Sequence, residues 1–233
     1  MTESLAKFNA AHAALDYVKD GMVLGLGTGS TAAHFVRQLG ERVRQGLRVK
    51  GVPTSEATRN LAEQVGVPLL EISQVSAIDV CIDGADEVDP AFRLIKGGGG
   101  ALLREKIVAA ASKQMVVIAD DSKWVETLGA FPLPVEVTRF GFALTQARVV
   151  DALRATGCAG HEVELRVSGK SNEPVITDGG NYILDAHAKR IVNAEALANA
   201  LQGIAGVVEH GLFIGLAQTV ILGKDKGAEV KKL

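Results

Sequence analysis

Short apolar runs that each stop at a glycine-rich or acidic turn constrain this chain more than any other feature. The run at 22–26 enters Gly27-Thr28-Gly29-Ser30-Thr31 and then a helical pattern to about Leu39. The run at 47–52 meets Pro53-Thr54-Ser55 and a helix that opens near Glu56. Runs at 68–72 and 78–82 read as two further strands, the second stopping at Asp83-Gly84-Ala85-Asp86-Glu87. Leu94-Ile95-Lys96 precedes four glycines and a helix over about 101–112; the strand at 115–119 ends at Asp120-Asp121-Ser122-Lys123. Strands alternating with helices imply βαβ units and a mainly parallel sheet. Ligands of such open sheets bind beyond the carboxyl ends of the strands, where these polar turns fall.

A first helix over 3–18 precedes this pattern, with Leu5, Phe8, Ala11, Ala14, Leu15 and Val18 at spacings of three and four and Gly21 as its stop. Hydrophobic residues make up 47% of the chain but aromatic ones only 4%, so the core must come from Ala, Val, Leu and Ile, as suits helices layered on a parallel sheet. The texture changes near 130. Phe131-Pro132-Leu133-Pro134 reads as a connector, followed by a strand, a helix at about 141–156, strands at 161–167, 175–177 and 181–185, and a helix at 193–202. The expected organisation is a main α/β domain of 1–130 with 206–233 and a small α+β insert at 131–205. Residues 206–223 read as β structure returning to the main sheet, and 224–233 as a basic tip.

The 233 residues carry a net charge of -2 with mixed signs, and no basic stripe suggests a nucleic-acid partner. No stretch approaches the ~18 to 20 uninterrupted apolar residues of a membrane span, and the N-terminus shows no secretory h-region. Cys81 and Cys158 make neither a disulfide framework nor a zinc pattern, and the five histidines show no ligand spacing. A cytoplasmic protein is expected.

Four segments could carry chemistry. Glycine-rich turns from strand to helix present main-chain N–H groups at a helix N-terminus, where phosphate binds. Ser30 and Thr31 add hydroxyls to the turn after the first strand; the plainer alternative is a tight turn with Ser30 as helix cap. The turn is not a dinucleotide fingerprint, because Ser30 stands where the third glycine belongs. Asp83, Asp86, Glu87 and Asp89 crowd seven residues, but their spacing is not that of an EF-hand. Asp83 and Asp86 are candidates for contacting sugar hydroxyls, Glu87 and Asp89 much less so.

Lys96, before Gly97, Gly98, Gly99 and Gly100, could balance a phosphate or a developing oxyanion. Glycines in a row cost backbone entropy and suit a place where main chain must approach a ligand closely. Glu105 follows, in a helix that reads as apolar nearly all round, with Ala101, Leu102, Val108 and Ala109 as its neighbours. It is either a general base in apolar surroundings or a surface residue in an intrahelical ion pair. Lys123, at another strand end, could reach a phosphate or be a solvated loop lysine.

Taken together and in this order, the segments resemble ribose-5-phosphate isomerase, type A. The resemblance rests on Gly27-Thr28-Gly29-Ser30-Thr31-Ala32, Asp83-Gly84-Ala85-Asp86-Glu87, and Lys96-Gly97-Gly98-Gly99 with Ala101-Leu102-x-Arg104-Glu105-Lys106-Ile107. Phe131 to Val137, Ile183-Leu184-Asp185 and the stretch 206–213 also fit. It implies the fold shared with CoA transferases and glucosamine-6-phosphate deaminases, dimers or tetramers, and aldose–ketose isomerisation with no metal or cofactor. It further implies three substrate-binding segments, namely Thr28, Gly29, Ser30 and Thr31; Asp83, Gly84, Ala85 and Asp86; and Lys96, Gly97, Gly98 and Gly99. Lys123 would be a further substrate contact, Glu105 the proton acceptor, and Asp83, Asp86 and Lys96 would assist. Other activities on the same fold, a CoA transferase, a deaminase or a sugar-phosphate sensor, remain the alternatives.

Overall fold

The computed structural model describes residues 5–169 and 171–233. In chain order the first elements are α1 (Leu5–Ala14), β1 (Val23–Leu26), α2 (Ser30–Arg44), β2 (Lys50–Pro53), α3 (Glu56–Val65), β3 (Val80–Asp83), β4 (Glu87–Val88), β5 (Leu94–Ile95), α4 (Leu102–Ala110) and β6 (Met115–Asp120). There follow β7 (Leu133–Val137), α5 (Phe142–Ala155), β8 (Glu162–Leu165), β9 (Tyr182–His187), α6 (Ala194–Gln202), β10 (Val207–His210), β11 (Leu212–Phe213), β12 (Ala217–Lys224) and β13 (Gly227–Lys232). The chain forms two compact units. One comprises Met1–Ala85, Arg104–Trp124 and Gly215–Leu233; the other comprises Asp86–Leu103 and Val125–Ile214.

The first unit is built on a six-stranded sheet in the order β13-β12-β6-β3-β1-β2. All its strands run parallel except β13, an antiparallel edge strand. Strands covered on both faces must be apolar where they are covered. Leu24, Leu26, Ile82, Val116, Ile118 and Ile221 share one core with Phe35, Val36 and Leu39 of α2 and with Ala10, Ala11 and Ala14 of α1. Alanine on α1 lets that helix lie very close to β12. Helix α3 begins on Ser55, whose side chain accepts the Thr58 N–H, and ends on Gly66 in the left-handed conformation. Helix α4 passes over β1, with Val108 Cγ1 only 2.6 Å from where a Cβ on Gly25 would stand.

The second unit is α+β. Its four-stranded sheet, β10-β7-β9-β8, is antiparallel throughout, as is a three-stranded sheet, β11-β5-β4. Val149 and Leu153 of α5 and Leu197 and Leu201 of α6 fill the core against Val135, Val137, Leu184 and Ala186. The α/β class with a mainly parallel sheet and an α+β part is therefore as the sequence implies.

Several local expectations change. Residues 175–177 form no named strand, only a bridge from Ile176 to Tyr182. Residues 68–72 form no named strand, only a bridge from Leu69 to Gly51 and then a short 3-10 turn, Ile72–Gln74, because the exposed segment beyond has no further strand to pair with. The returning β structure divides: β12 joins the parallel sheet, whereas β10 and β11 belong to the antiparallel sheets of the second unit. The basic tip contains β13, whose residues alternate between half-buried and exposed. Lysines on an edge strand discourage pairing with other chains, which explains a strand that reads as a polar tail.

The approach of α1 to β12 generates a test. A Cβ on Gly223 would stand 1.8 Å from the Ala6 carbonyl oxygen, so Gly223→Ala must displace the helix. Urea denaturation should show about 1–3 kcal/mol of lost stability, the usual cost of overpacking. An unchanged midpoint would mean that α1 does not sit this close.

Candidate active site

Because β1, β3 and β6 are parallel neighbours, their carboxyl ends lie along one edge of the first unit's sheet. Three of the segments singled out in the sequence follow those ends directly. The turn after β1 is held from two sides. Asp83, at the end of β3 and 0% exposed, accepts the N–H of Thr28 at 3.0 Å and of Gly84 at 2.7 Å, both on Oδ1. Only glycine fits at 27, where a Cβ would stand 2.1 Å from that oxygen. On the other side the Thr28 hydroxyl meets those of Thr54, Ser55 and Thr58 at 2.7, 2.8 and 3.2 Å. Thr58 in turn donates to the Gly27 carbonyl at 2.9 Å.

Thr28 thus has its side chain fixed within the protein, while Gly29 and Ser30 are exposed. Gly29, not Ser30, is the cap residue of α2, with φ 105° and no side chain capping the first turn. The opening N–H groups of a long helix therefore carry their partial positive charge without a side-chain cap. Lys7 donates to the Ser30 hydroxyl at 2.9 Å, bringing a cation to the same place. Uncapped N–H groups, a hydroxyl and a cation thus stand together, the chemistry that suits an anion. Lys123 closes the 3-10 turn Asp121–Lys123 after β6 and is partly exposed.

Glu105 lies in the first turn of α4. Its face of the helix includes Leu102, Val108 and Ala109, all buried, and its own exposure is 4%. The helix is not apolar all round in its setting: Ile107 is 48% exposed, so α4 has a wet side, and Glu105 is on the dry one. This removes the surface alternative. The neighbouring Arg104 faces another way and binds Glu56 at 2.7 Å, holding that carboxyl below its usual range.

The second unit holds the remaining segments. Lys96 follows β5, is 2% exposed, and has its Nζ 5.5 Å from the centre of the Phe213 ring. Asp86 accepts the Gly98 N–H on Oδ2 at 2.8 Å. Arg166 donates to the carbonyls of Gly97 and Gly98 at 2.9 and 3.1 Å and pairs with Asp185. The glycine run is therefore a held turn. Glu87 and Asp89 have internal duties. Glu87 accepts the N–H groups of Gly129 and Phe131, both at 2.6 Å, and Asp89 accepts those of Ala91 and Arg93 and pairs with the Arg93 guanidinium.

Motif reading missed Lys7, Arg166 and the hydroxyls of Thr54, Ser55 and Thr58. Asp185 had a signal, as part of Ile183-Leu184-Asp185. Thr54 and Ser55 lay in a polar turn at a strand end but were not singled out, and Lys7, Thr58 and Arg166 come to their places only through the fold. Among the described residues, no group of three or more His, Cys, Asp or Glu side chains is placed to hold a metal ion, and no helix is long and apolar enough to cross a membrane.

The chain is similar to known proteins along its length. The sequence model of ribose 5-phosphate isomerase A (phosphoriboisomerase A) matches residues 50–227. A ribose-5-phosphate isomerase A of Maricaulis maris is 56% identical over 233 residues, covering 100% of both chains. One of Afipia carboxidovorans is 59% identical over 230 residues, covering 99% of this chain and 97% of the relative. Among solved structures, a D-ribose-5-phosphate isomerase in complex with phospho-erythronic acid superposes with a TM-score of 0.92 at 38% identity, over 100% of both chains. The ribose 5-phosphate isomerase A of Methanocaldococcus jannaschii does so with a TM-score of 0.89 at 42% identity, again over 100% of both. With the family's model matching most of this chain and relatives this similar from end to end, the chain belongs to the ribose 5-phosphate isomerase A family.

Proposed function

We propose that this chain interconverts D-ribose 5-phosphate and D-ribulose 5-phosphate through an enediolate, with Glu105 carrying the proton between C2 and C1. The observation that carries the reading is the burial of that carboxylate on the dry face of α4, in the segment that follows the glycine run. The chemical problem is to remove a proton from carbon beside a carbonyl and return it to the adjacent carbon. A carboxylate shielded from water is a stronger base than one in solution, which serves this step.

The substrate phosphate binds at the N-terminus of α2, on the N–H groups of the turn, the hydroxyls of Ser30 and Thr31, and Lys7, with Lys123 as a further contact. The sugar ring then opens. Asp83 and Asp86 assist by moving protons between O5 and O1, through water. Glu105 takes the C2 proton. Negative charge grows on the carbonyl oxygen, and Lys96 with the main-chain N–H groups of the glycine turn stabilises it. The O2 hydroxyl proton passes to O1 as C2 becomes the carbonyl, and Glu105 returns its own proton to C1. The same carboxylate serves both carbons, so no second strong base is required. Ring opening and both proton transfers proceed in this scheme without a metal ion or cofactor. The family resemblance further supports a homodimer or homotetramer working in the cytoplasm within the pentose phosphate pathway; sedimentation of the purified protein tests the assembly.

Turnover of ribose 5-phosphate, followed by ketose absorbance, should persist in EDTA. Glu105→Gln should lower kcat by about 10² to 10⁴, the usual worth of a general base, and still bind substrate. Near-normal turnover in that variant would remove Glu105 from its role, and loss of turnover in EDTA would sink the metal-free scheme. For the phosphate cradle, Lys7→Ala should raise KM about tenfold, the scale of a hydrogen bond to a charged group, with kcat little changed. An unaltered KM would place the phosphate elsewhere.

A further inference from the structure

We infer that Arg166, held by Asp185, is a positioning residue that sets the glycine turn as an oxyanion cradle and strengthens the Gly99 N–H as its donor. The inference rests on the function proposed above and names two residues that the reaction scheme does not contain.

Lys96 is followed by four glycines, a sequence with the greatest freedom to lose. Something must hold it, and two groups in the second unit do. Asp86 takes the Gly98 N–H at 2.8 Å. From Arg166, one nitrogen, Nη1, reaches two successive carbonyls, those of Gly97 at 2.9 Å and Gly98 at 3.1 Å. The other edge of the guanidinium is engaged by Asp185, with Nε to Oδ2 at 2.8 Å and Nη2 to Oδ1 at 2.5 Å. Arg166 is also fixed through its main chain: its N–H donates to Ile183 at 2.8 Å, and its carbonyl accepts from Val175 at 2.9 Å. Asp185 stands on β9, between β7 and β8. The grip on the glycine turn is thus anchored to the middle of a sheet.

The electrostatics follow from the peptide group. The Gly97 carbonyl shares its amide with the Gly98 N–H, and the Gly98 carbonyl shares its amide with the Gly99 N–H. A cation at a carbonyl oxygen polarises the amide and makes its N–H the better donor. The Gly98 N–H is already taken by Asp86. The Gly99 N–H makes no hydrogen bond among the described residues, and Gly99 is exposed. Arg166 therefore acts on the one donor of this pair that is open to a ligand. A lysine could not replace it. A compact ammonium cannot meet two carbonyls and both oxygens of a carboxylate in one plane.

The test compares the intact chain with Arg166→Gln, Arg166→Lys and Asp185→Asn. It measures kcat, KM, the thermal midpoint, and inhibition by phospho-erythronic acid and by inorganic phosphate. The carboxylate of phospho-erythronic acid stands in for the planar enediolate oxygens; phosphate probes only the cradle on α2. Arg166→Gln should lower kcat roughly 10²-fold, as removal of an oxyanion donor does, and move KM less than about threefold. Inhibition by phospho-erythronic acid should weaken strongly, and inhibition by phosphate should not. Arg166→Lys should recover less than about a tenth of the lost turnover, and Asp185→Asn should fall between the two.

Retained kcat in Arg166→Gln would overturn the inference. So would a loss shared equally by kcat, KM and phosphate inhibition, which marks a merely structural role. Should Arg166→Gln fail to fold, Arg166→Lys decides: a folded and fully active lysine variant overturns the inference, and a folded, slow one with intact phosphate inhibition supports it. An intact chain that does not isomerise ribose 5-phosphate would remove the parent reading and this one with it. An active chain with indifferent Arg166 variants removes this one alone.

Discussion

The carboxylate of Asp83 is the contact on which the first unit's chemistry depends. It has no exposed surface, and one of its oxygens binds the Thr28 and Gly84 N–H groups at 3.0 and 2.7 Å. Burying a charge is costly unless hydrogen bonds replace its water. Here the replacement also joins the turn after β1 to the turn after β3, so the two carboxyl ends of neighbouring strands are set as one piece. The glycine at 27 and the hydroxyls around Thr28 are consequences. The first makes room for the carboxylate, and the second hold the threonine side chain away from the exposed N–H groups.

The same device recurs in the other unit. Asp86, Glu87 and Asp89 each accept main-chain N–H groups, at Gly98, at Gly129 and Phe131, and at Ala91 and Arg93. Four acids in seven residues look like a ligand cluster. In the fold they are four separate fastenings, each closing a different turn. Main-chain N–H groups and, at Asp89, the Arg93 guanidinium offset the negative charge of the segment. It also separates two kinds of acid. Those at 87 and 89 are fully engaged in architecture, while Asp83 and Asp86 fasten the two loops proposed to touch the substrate.

The elements that were legible in the sequence are those whose burial is two-sided. The runs that became β1, β3 and β6 are apolar through their buried centres. Where burial is partial, the reading fails. Residues 68–72 look like a strand but pair with β2 through a single bridge only, and β13 looks like a tail because every second residue is exposed. The site divides in the same way. Residues in contiguous turns, such as Gly29, Ser30 and Asp83, carry their signal locally. Arg166 reaches Gly97 across 69 positions and Lys7 reaches Ser30 across 23, and no local pattern announces either. Glu105 is the intermediate case. Its type and place were visible, but whether it faces the core depends on which side of α4 is wet, and only packing decides that.

That orientation bears directly on how a single base can serve two carbons. C1 and C2 of the sugar are one bond apart, so the base must be rigid enough to keep its direction and near enough to reach both with a small shift. A side chain in a surface loop would lose its aim to solvent. A glutamate on the buried face of a helix has its backbone fixed by the helix and its side chain shielded from solvent. The oxyanion partners in the proposed scheme are rigid in the same sense, because the main chain of the glycine turn is fastened through Asp86 and Arg166. Donors already oriented before charge develops need little reorganisation when it does, and this is where electrostatic stabilisation in enzymes gains most. The flexibility implied by glycine is thus removed by the fold, leaving only what glycine alone provides, a backbone with no side chain between it and the substrate.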